Sequence, residues 1–134
     1  MTKGSAVELN QIAAVLACAL LAGLAVFQLL LIFGAPLGRL AWGGQHRILP
    51  SRLRIGSAAS VLLYLVFGHA ALARTGLAPA LGSDAWYPAF TWILTAYFTL
   101  GVLMNGISRS KPERLVMTPV ALLLALLFLV LSMG

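Results

Sequence analysis

Charge is the scarcest property of this chain. Of its 134 residues only 9% are Asp, Glu, Lys or Arg, where soluble domains carry about 25%. Acids are rarest of all: Glu8, Asp84 and Glu113 are the only three. None of them falls inside an apolar run, so the intramembrane carboxylate of a proton-coupled carrier is missing. One cysteine, Cys18, excludes an intramolecular disulfide, a CxxC redox pair and a thiolate metal cluster. The two histidines, His46 and His69, show no His-x-x-x-His or Glu-x-x-His spacing, and no metal is expected. Phosphate loops, dinucleotide fingerprints and nucleophile elbows are also missing. We therefore assign no cofactor and no catalytic residue, and an enzyme is the least favoured class.

What the chain has in abundance is apolar surface. It is 61% hydrophobic, with a mean hydropathy of +1.00. That composition excludes a water-soluble globule, and it excludes disorder, which goes with few apolar residues. Crossing a hydrocarbon core takes about 20 mostly apolar helical residues. Residues 11–33, 56–73, 88–107 and 116–133 meet that requirement. Backbone polar groups at that depth must pair within the segment, so the spans are helices. The expectation is an all-α polytopic membrane protein, with residues 1–134 forming one four-helix transmembrane bundle. The first run is too long for a cleaved signal peptide and lacks a small-x-small site before polar sequence. The weak lipoprotein-like box ending at Cys18 is set aside because the apolar run continues past it.

Nine basic residues against three acids give a net charge of +6. In a soluble protein that would suggest nucleic acid. Here the cations sit in short connections between spans, where orientation and anionic headgroups account for them, and no nucleic-acid partner is expected. One face collects Arg39, Arg47, Arg52, Arg54, Arg109, Lys111 and Arg114 with Glu113 as its lone acid. On the other, Lys3 and Arg74 balance Glu8 and Asp84. The positive-inside rule then makes loops 34–55 and 108–115 cytoplasmic and puts both termini on the extracytoplasmic side of a bacterial inner (plasma) membrane. So polarised a chain does not suit the dual-orientation antiparallel dimers of small four-span exporters and fluoride channels.

Helices in lipid associate through close packing and interhelical hydrogen bonds. Ala14, Cys18 and Ala22, beside Ala19 and Gly23, predict a smooth face on the first span. Gly56-x-x-x-Ser60 predicts its counterpart on the second. The fourth span is rich in Leu and almost free of polar atoms after Thr118, which reads as a lipid-facing wall with Pro119 in its first turn. Trp42, Trp86, Tyr87 and Trp92 read as interfacial anchors. His69 reads as a hydrogen-bonded interior residue.

Polar groups within the membrane need a reason. Gln28 lies in the inner third of the first span and Asn105 near the inner end of the third. At about 100° per residue, Thr91, Thr95, Phe98, Val102, Asn105 and Arg109 share an arc of roughly 80°. Such a stripe should face the bundle interior. The connection 34–55 is longer than most helix connections, and loops of that kind tend to be functional or disordered. Its Trp42, its Leu and Ile residues and the Gly43-Gly44 turn point to a folded cap. The cap would gather Arg39, Trp42, Gln45, His46, Arg47 and Arg54 near Asn105, Arg109 and Lys111, with Gln28 above them. Guanidinium groups hold phosphate or carboxylate in bidentate geometry. The competing reading is that these cations only set orientation and bind bulk anionic lipid.

The segments Gly34-Ala35-Pro36-Leu37-Gly38, Ala41-Trp42-Gly43-Gly44, Leu49-Pro50 and Leu53-Arg54 carry a likeness. With Asn105, Ser108-Arg109-Ser110-Lys111, Glu113-Arg114 and Met117-Thr118-Pro119, the chain resembles a group of small uncharacterised four-span integral membrane proteins of bacteria. That resemblance implies location and fold. The residues themselves lead to an expected binding, or beyond that transport, of an anionic or amphiphilic small molecule or lipid at a cytoplasm-facing site. Membrane lipids are the expected partners, with a homo-oligomer or another membrane protein also open. The alternative is a non-catalytic accessory or scaffold subunit that docks a partner on its basic face.

Overall fold

In a computed structural model of the chain, residues 3–134 are described. Met1, Thr2 and the side chain of Lys3, which entered the charge count above, lie outside the described residues. Four helices follow in order: α1 (Lys3–Ile32), α2 (Ser51–Arg74), α3 (Tyr87–Gly106) and α4 (Lys111–Met133). No strand occurs among the described residues. All four helices are long and apolar enough to cross a membrane, and this is a multi-pass membrane protein of all-α architecture. The helices overrun the apolar spans at several ends. The α1 helix begins at Lys3 rather than residue 11, α2 at Ser51 and α4 at Lys111. The reason is that a hydropathy window ends where polar residues begin, whereas backbone hydrogen bonding continues into the headgroup layer.

The packing order differs from expectation. The α4 helix packs on α3 and on α1, and α1 packs on α2, while α2 and α3 touch far less. Ala121, Leu124, Ala125, Phe128, Leu131 and Ser132 of α4 are all buried. It is the central helix of the bundle and not a lipid-facing wall. Leu124 and Leu131 supply bulk to the interior, while Ala121 and Ala125 admit the neighbouring helices. Nor does Pro119 lie in a first turn. The helix starts eight positions earlier, so Pro119 sits inside it and the Leu115 carbonyl loses its usual donor. The proline that does occupy the first turn is Pro112, where a missing N–H is harmless.

The small-residue face of α1 is only partly the one expected, with Ala14 and Cys18 on it and Ala19, Ala22 and Gly23 off it. Ala13, Ala14, Ala17 and Leu21 are buried, whereas Ala19, Ala22 and Gly23 are exposed. Cys18 donates its thiol to the Gly68 carbonyl at 3.5 Å, marking the close approach of α1 to α2. Farther from the basic end, Phe98 stacks on Phe128 at 5.5 Å and meets Phe67 edge-on at 5.9 Å. With Leu94 and Leu131 these rings close that half of the bundle. Tyr87 is not an interfacial anchor. It is 2% exposed, its oxygen accepts from Leu81 N–H at 2.8 Å, and it lies 3.1 Å from His69 Nε2. His69 is thus a hydrogen-bonded interior residue, with Tyr87 as its partner.

Candidate binding site

The connection between α1 and α2 is a folded cap. Gly34, at φ +91°, turns the chain out of α1, and two short 3₁₀ turns follow at Gly38–Leu40 and Trp42–Gly44. Leu31, Ala41 and Leu49 are buried together, with Phe27, Leu37 and Leu53 packed around them, so the cap has a small core of its own. Gly38 N–H donates to the Arg47 carbonyl at 2.8 Å and closes the loop on itself.

At the centre of the cap the backbone is strained. Trp42 has φ +54°, followed by Gly43 at +77° and Gly44 at +72°. For a bulky residue the left-handed region costs about 1–3 kcal/mol and persists only where surrounding contacts impose it. Those contacts are present. Trp42 Nε1–H donates to the buried Ser57 hydroxyl at 3.3 Å. Gly43 N–H donates to Glu113 Oε2 at 3.3 Å. The Ser110 hydroxyl donates to the Arg39 carbonyl, and a Cβ on Gly44 would overlap the Ser110 side chain. The Trp42 ring lies so close to Gly56 that a Cβ there would come within 2.7 Å of it. The small residues at the start of α2 therefore seat the indole rather than α1. Ser60 turns back to the Gly56 carbonyl of its own helix.

Behind this lid lies a cavity of about 450 Å³, within the roughly 300–1,000 Å³ typical of small-molecule sites. Its walls are Leu24 and Phe27 of α1, Tyr64 of α2, Tyr97, Phe98 and Leu100 of α3, and Met117, Val120 and Leu124 of α4. Polar groups among the lining residues are the side chains of Gln28, Asn105 and Glu113 and the hydroxyls of Tyr64 and Tyr97. A second, more polar cavity of about 820 Å³ lies toward the basic end, lined by Arg39, Gln45, Ser108, Arg109, Ser110 and Lys111 among others. The two share Trp42, Met104, Asn105 and Glu113. We call the first the chamber, the second the vestibule and the shared residues the neck.

The sequence-predicted residues divide accordingly. Arg39, Trp42, Gln45, Asn105, Arg109 and Lys111 come together around the vestibule, and Gln28 joins the chamber. His46, Arg47 and Arg54 line neither cavity. The Arg47 carbonyl holds the cap together, and its side chain is exposed. Arg54 turns beneath the cap, where Nε donates to the Leu49 carbonyl at 2.8 Å and Nη1 to the Ile32 carbonyl at 3.3 Å. On α3, Thr91 and Thr95 bond to carbonyls of their own helix, and Thr95 also reaches Ser132 at 3.2 Å. Asn105 donates to Gly101 O at 2.8 Å, which fixes its amide against the helix beside the neck.

Glu113 is the functional residue that sequence reasoning missed. It is 7% exposed and stands in the first turn of α4, where the helix dipole favours a negative charge. Tyr64 and Tyr97 also line the chamber and lie outside the sequence-predicted set. The available signal for Glu113 was its isolation as the single acid on an otherwise basic face, directly after Pro112. No protein-family model, no curated protein and no solved structure matches this chain.

Proposed function

We propose that this chain is a plasma-membrane protein of bacteria that binds an amphiphilic small molecule or lipid from the cytoplasmic side. The observation that carries this reading is the meeting of an apolar chamber with a basic vestibule at one neck. The apolar body of the ligand fills the chamber, and its anionic group lies against Arg39, Arg109 and Lys111. The rings of Phe67 and Phe128, packed against the chamber wall at Phe98, favour binding over a continuous path.

Native mass spectrometry of the purified protein tests the site. Asn105→Ala and Arg109→Ala should each lower recovery of a co-purifying anionic amphiphile. For Arg109→Ala the loss should be about tenfold or more, since a charge-assisted hydrogen bond contributes about 1.5–3 kcal/mol. Stability should hardly change, because Arg109 is exposed and Asn105 bonds only within its own helix. A wild-type protein that carries no amphiphile and takes up none, yet holds a stable protein partner, would return the accessory-subunit reading.

Orientation follows from the charges. In this reading loops 34–55 and 108–115 are cytoplasmic and both termini extracytoplasmic. In a Cys18→Ala background, Ser51→Cys should react with an impermeant maleimide only in inverted vesicles. Labelling of intact cells would reverse the topology.

A further inference from the structure

Two acceptors face the chamber without enough donors. Gln28 is 7% exposed, lines the chamber, and its side chain contacts the Tyr64 hydroxyl, while its Oε1 is buried with no hydrogen-bond partner. Glu113 is equally buried, and its hydrogen bond among the described residues is the one from Gly43 N–H at 3.3 Å. A buried acceptor left unsatisfied is unfavourable, and a buried carboxylate with a single neutral donor more so. The cations of the vestibule do not resolve this, since Arg39, Arg109 and Lys111 are exposed beyond the neck. The Arg54 guanidinium is committed to two carbonyls.

Five aromatic residues line the same chamber: Phe27, Trp42, Tyr64, Tyr97 and Phe98. Ring faces attract cations, most strongly when water is excluded. An ammonium group suits the whole arrangement, because it carries three donors and no acceptor. A phosphate or carboxylate placed there would instead face Glu113 directly.

The order along the site then specifies the ligand. Apolar wall comes first, the Glu113 carboxylate second at the neck, and the basic vestibule third. We propose that the ligand is a zwitterionic amphiphile whose ammonium group lies between its apolar body and its anionic group, with Glu113 and Gln28 receiving the ammonium. This rests on the amphiphile-binding function above and narrows its ligand class. The shared chemistry is that of a long-chain or hydrophobic 2-amino acid, free in the cytoplasm or forming part of a lipid headgroup. A headgroup in which phosphate precedes the ammonium presents its charges in the wrong order.

Trp42 supplies the reporter. In Trp86→Phe/Trp92→Phe protein in phosphatidylcholine nanodiscs, brominated chains that enter the chamber quench Trp42. A Trp42→Phe/Trp86→Phe protein keeps Trp92, 47% exposed on the outside of the bundle, and corrects for partition into the bilayer. The probes are 11-bromo-2-aminoundecanoic acid, 11-bromoundecanoic acid and 11-bromoundecanol. Corrected for partition, the amino acid should quench Trp42 at least tenfold more effectively than the simple acid. Glu113→Gln, which keeps an acceptor for Gly43 N–H, should abolish that preference while leaving quenching by the simple acid intact. Gln28→Leu should reduce the preference by several-fold, and it gives a second reading should Glu113→Gln fold poorly.

Equal quenching by amino acid and simple acid in the wild type, or a preference that survives Glu113→Gln, overturns the zwitterion while leaving an amphiphile site in place. If no probe quenches Trp42 beyond the Trp92 control, both the zwitterion and the amphiphile site fall. Displacement of the probe by free L-leucine or L-phenylalanine would support a soluble source. Displacement only by 2-aminohexadecanoic acid would support a lipid one.

Discussion

Gly38→Ala is expected to break open the fold of the cap. A Cβ on Gly38 would overlap the His46 carbonyl oxygen and press on the Arg47 carbonyl. Both are backbone atoms, so no rotamer change relieves the clash. The chain must separate there, and the 2.8 Å bond from Gly38 N–H to Arg47 O breaks with it. Overpacking a tight site costs about 1–3 kcal/mol where side chains can yield, and a lost hydrogen bond adds about 1 kcal/mol. A loss of about 2–4 kcal/mol follows. It should be confined to the basic end, because α1 to α4 each keep their own backbone hydrogen bonds in the bilayer. Far-UV circular dichroism should therefore remain helical. Emission of Trp42 should shift to the red, and amphiphile binding should fail. Gly43→Ala is the control, with its own left-handed φ of +77° but nothing within 4 Å of the added carbon. Its effect should be milder than that of Gly38→Ala.

What could be read from the sequence was what depends on composition and order along the chain. Four spans, the helical class and the folding of the 34–55 connection follow from apolar run length and from Trp42 and Gly43-Gly44 among polar neighbours. Hydropathy carries no information about which apolar helix is central, because lipid and bundle interior are equally apolar to a Leu side chain. That is why α4 read as a wall although Leu124 and Phe128 are fully buried. The same blindness shifted part of the contact face of α1, where Ala13 and Ala17 join Ala14 and Cys18 and Ala22 does not.

Charged residues misled in a different way. The positive-inside pattern collects arginines on one face without distinguishing their uses. Arg54 joined the candidate ligand contacts because of that face, but its guanidinium caps carbonyls. Glu113 was counted as one negative charge among positives, whereas its burial and its bond to Gly43 come from the fold. No local pattern announces that contact, because the two residues lie 70 positions apart.

Arg54 and Arg109 are accordingly expected to fail in opposite ways. Arg54→Ala removes donors from the Leu49 carbonyl in the cap and from the Ile32 carbonyl at the end of α1. Hydrogen bonds from a charged donor contribute about 1.5–3 kcal/mol, and a cation at a helix C-terminus adds about 0.3–1 kcal/mol. The guanidinium also fills space beside Gly34 that Ala cannot reach. A stability loss of about 3 kcal/mol is expected, measured by thermal or denaturant unfolding in a mild detergent. Arg54→Lys should recover less than half of it, since one ammonium cannot reproduce the spread of the two-nitrogen contact. Below its lowered melting point, Arg54→Ala protein should still bind the amphiphile with unaltered preference, because Arg54 lines neither cavity. Arg109→Ala should reverse every one of these results, keeping its melting temperature and losing its ligand. Should Arg54→Ala instead melt like the wild type and lose its ligand, Arg54 would belong with the anion contacts in the vestibule and the cap would need another anchor.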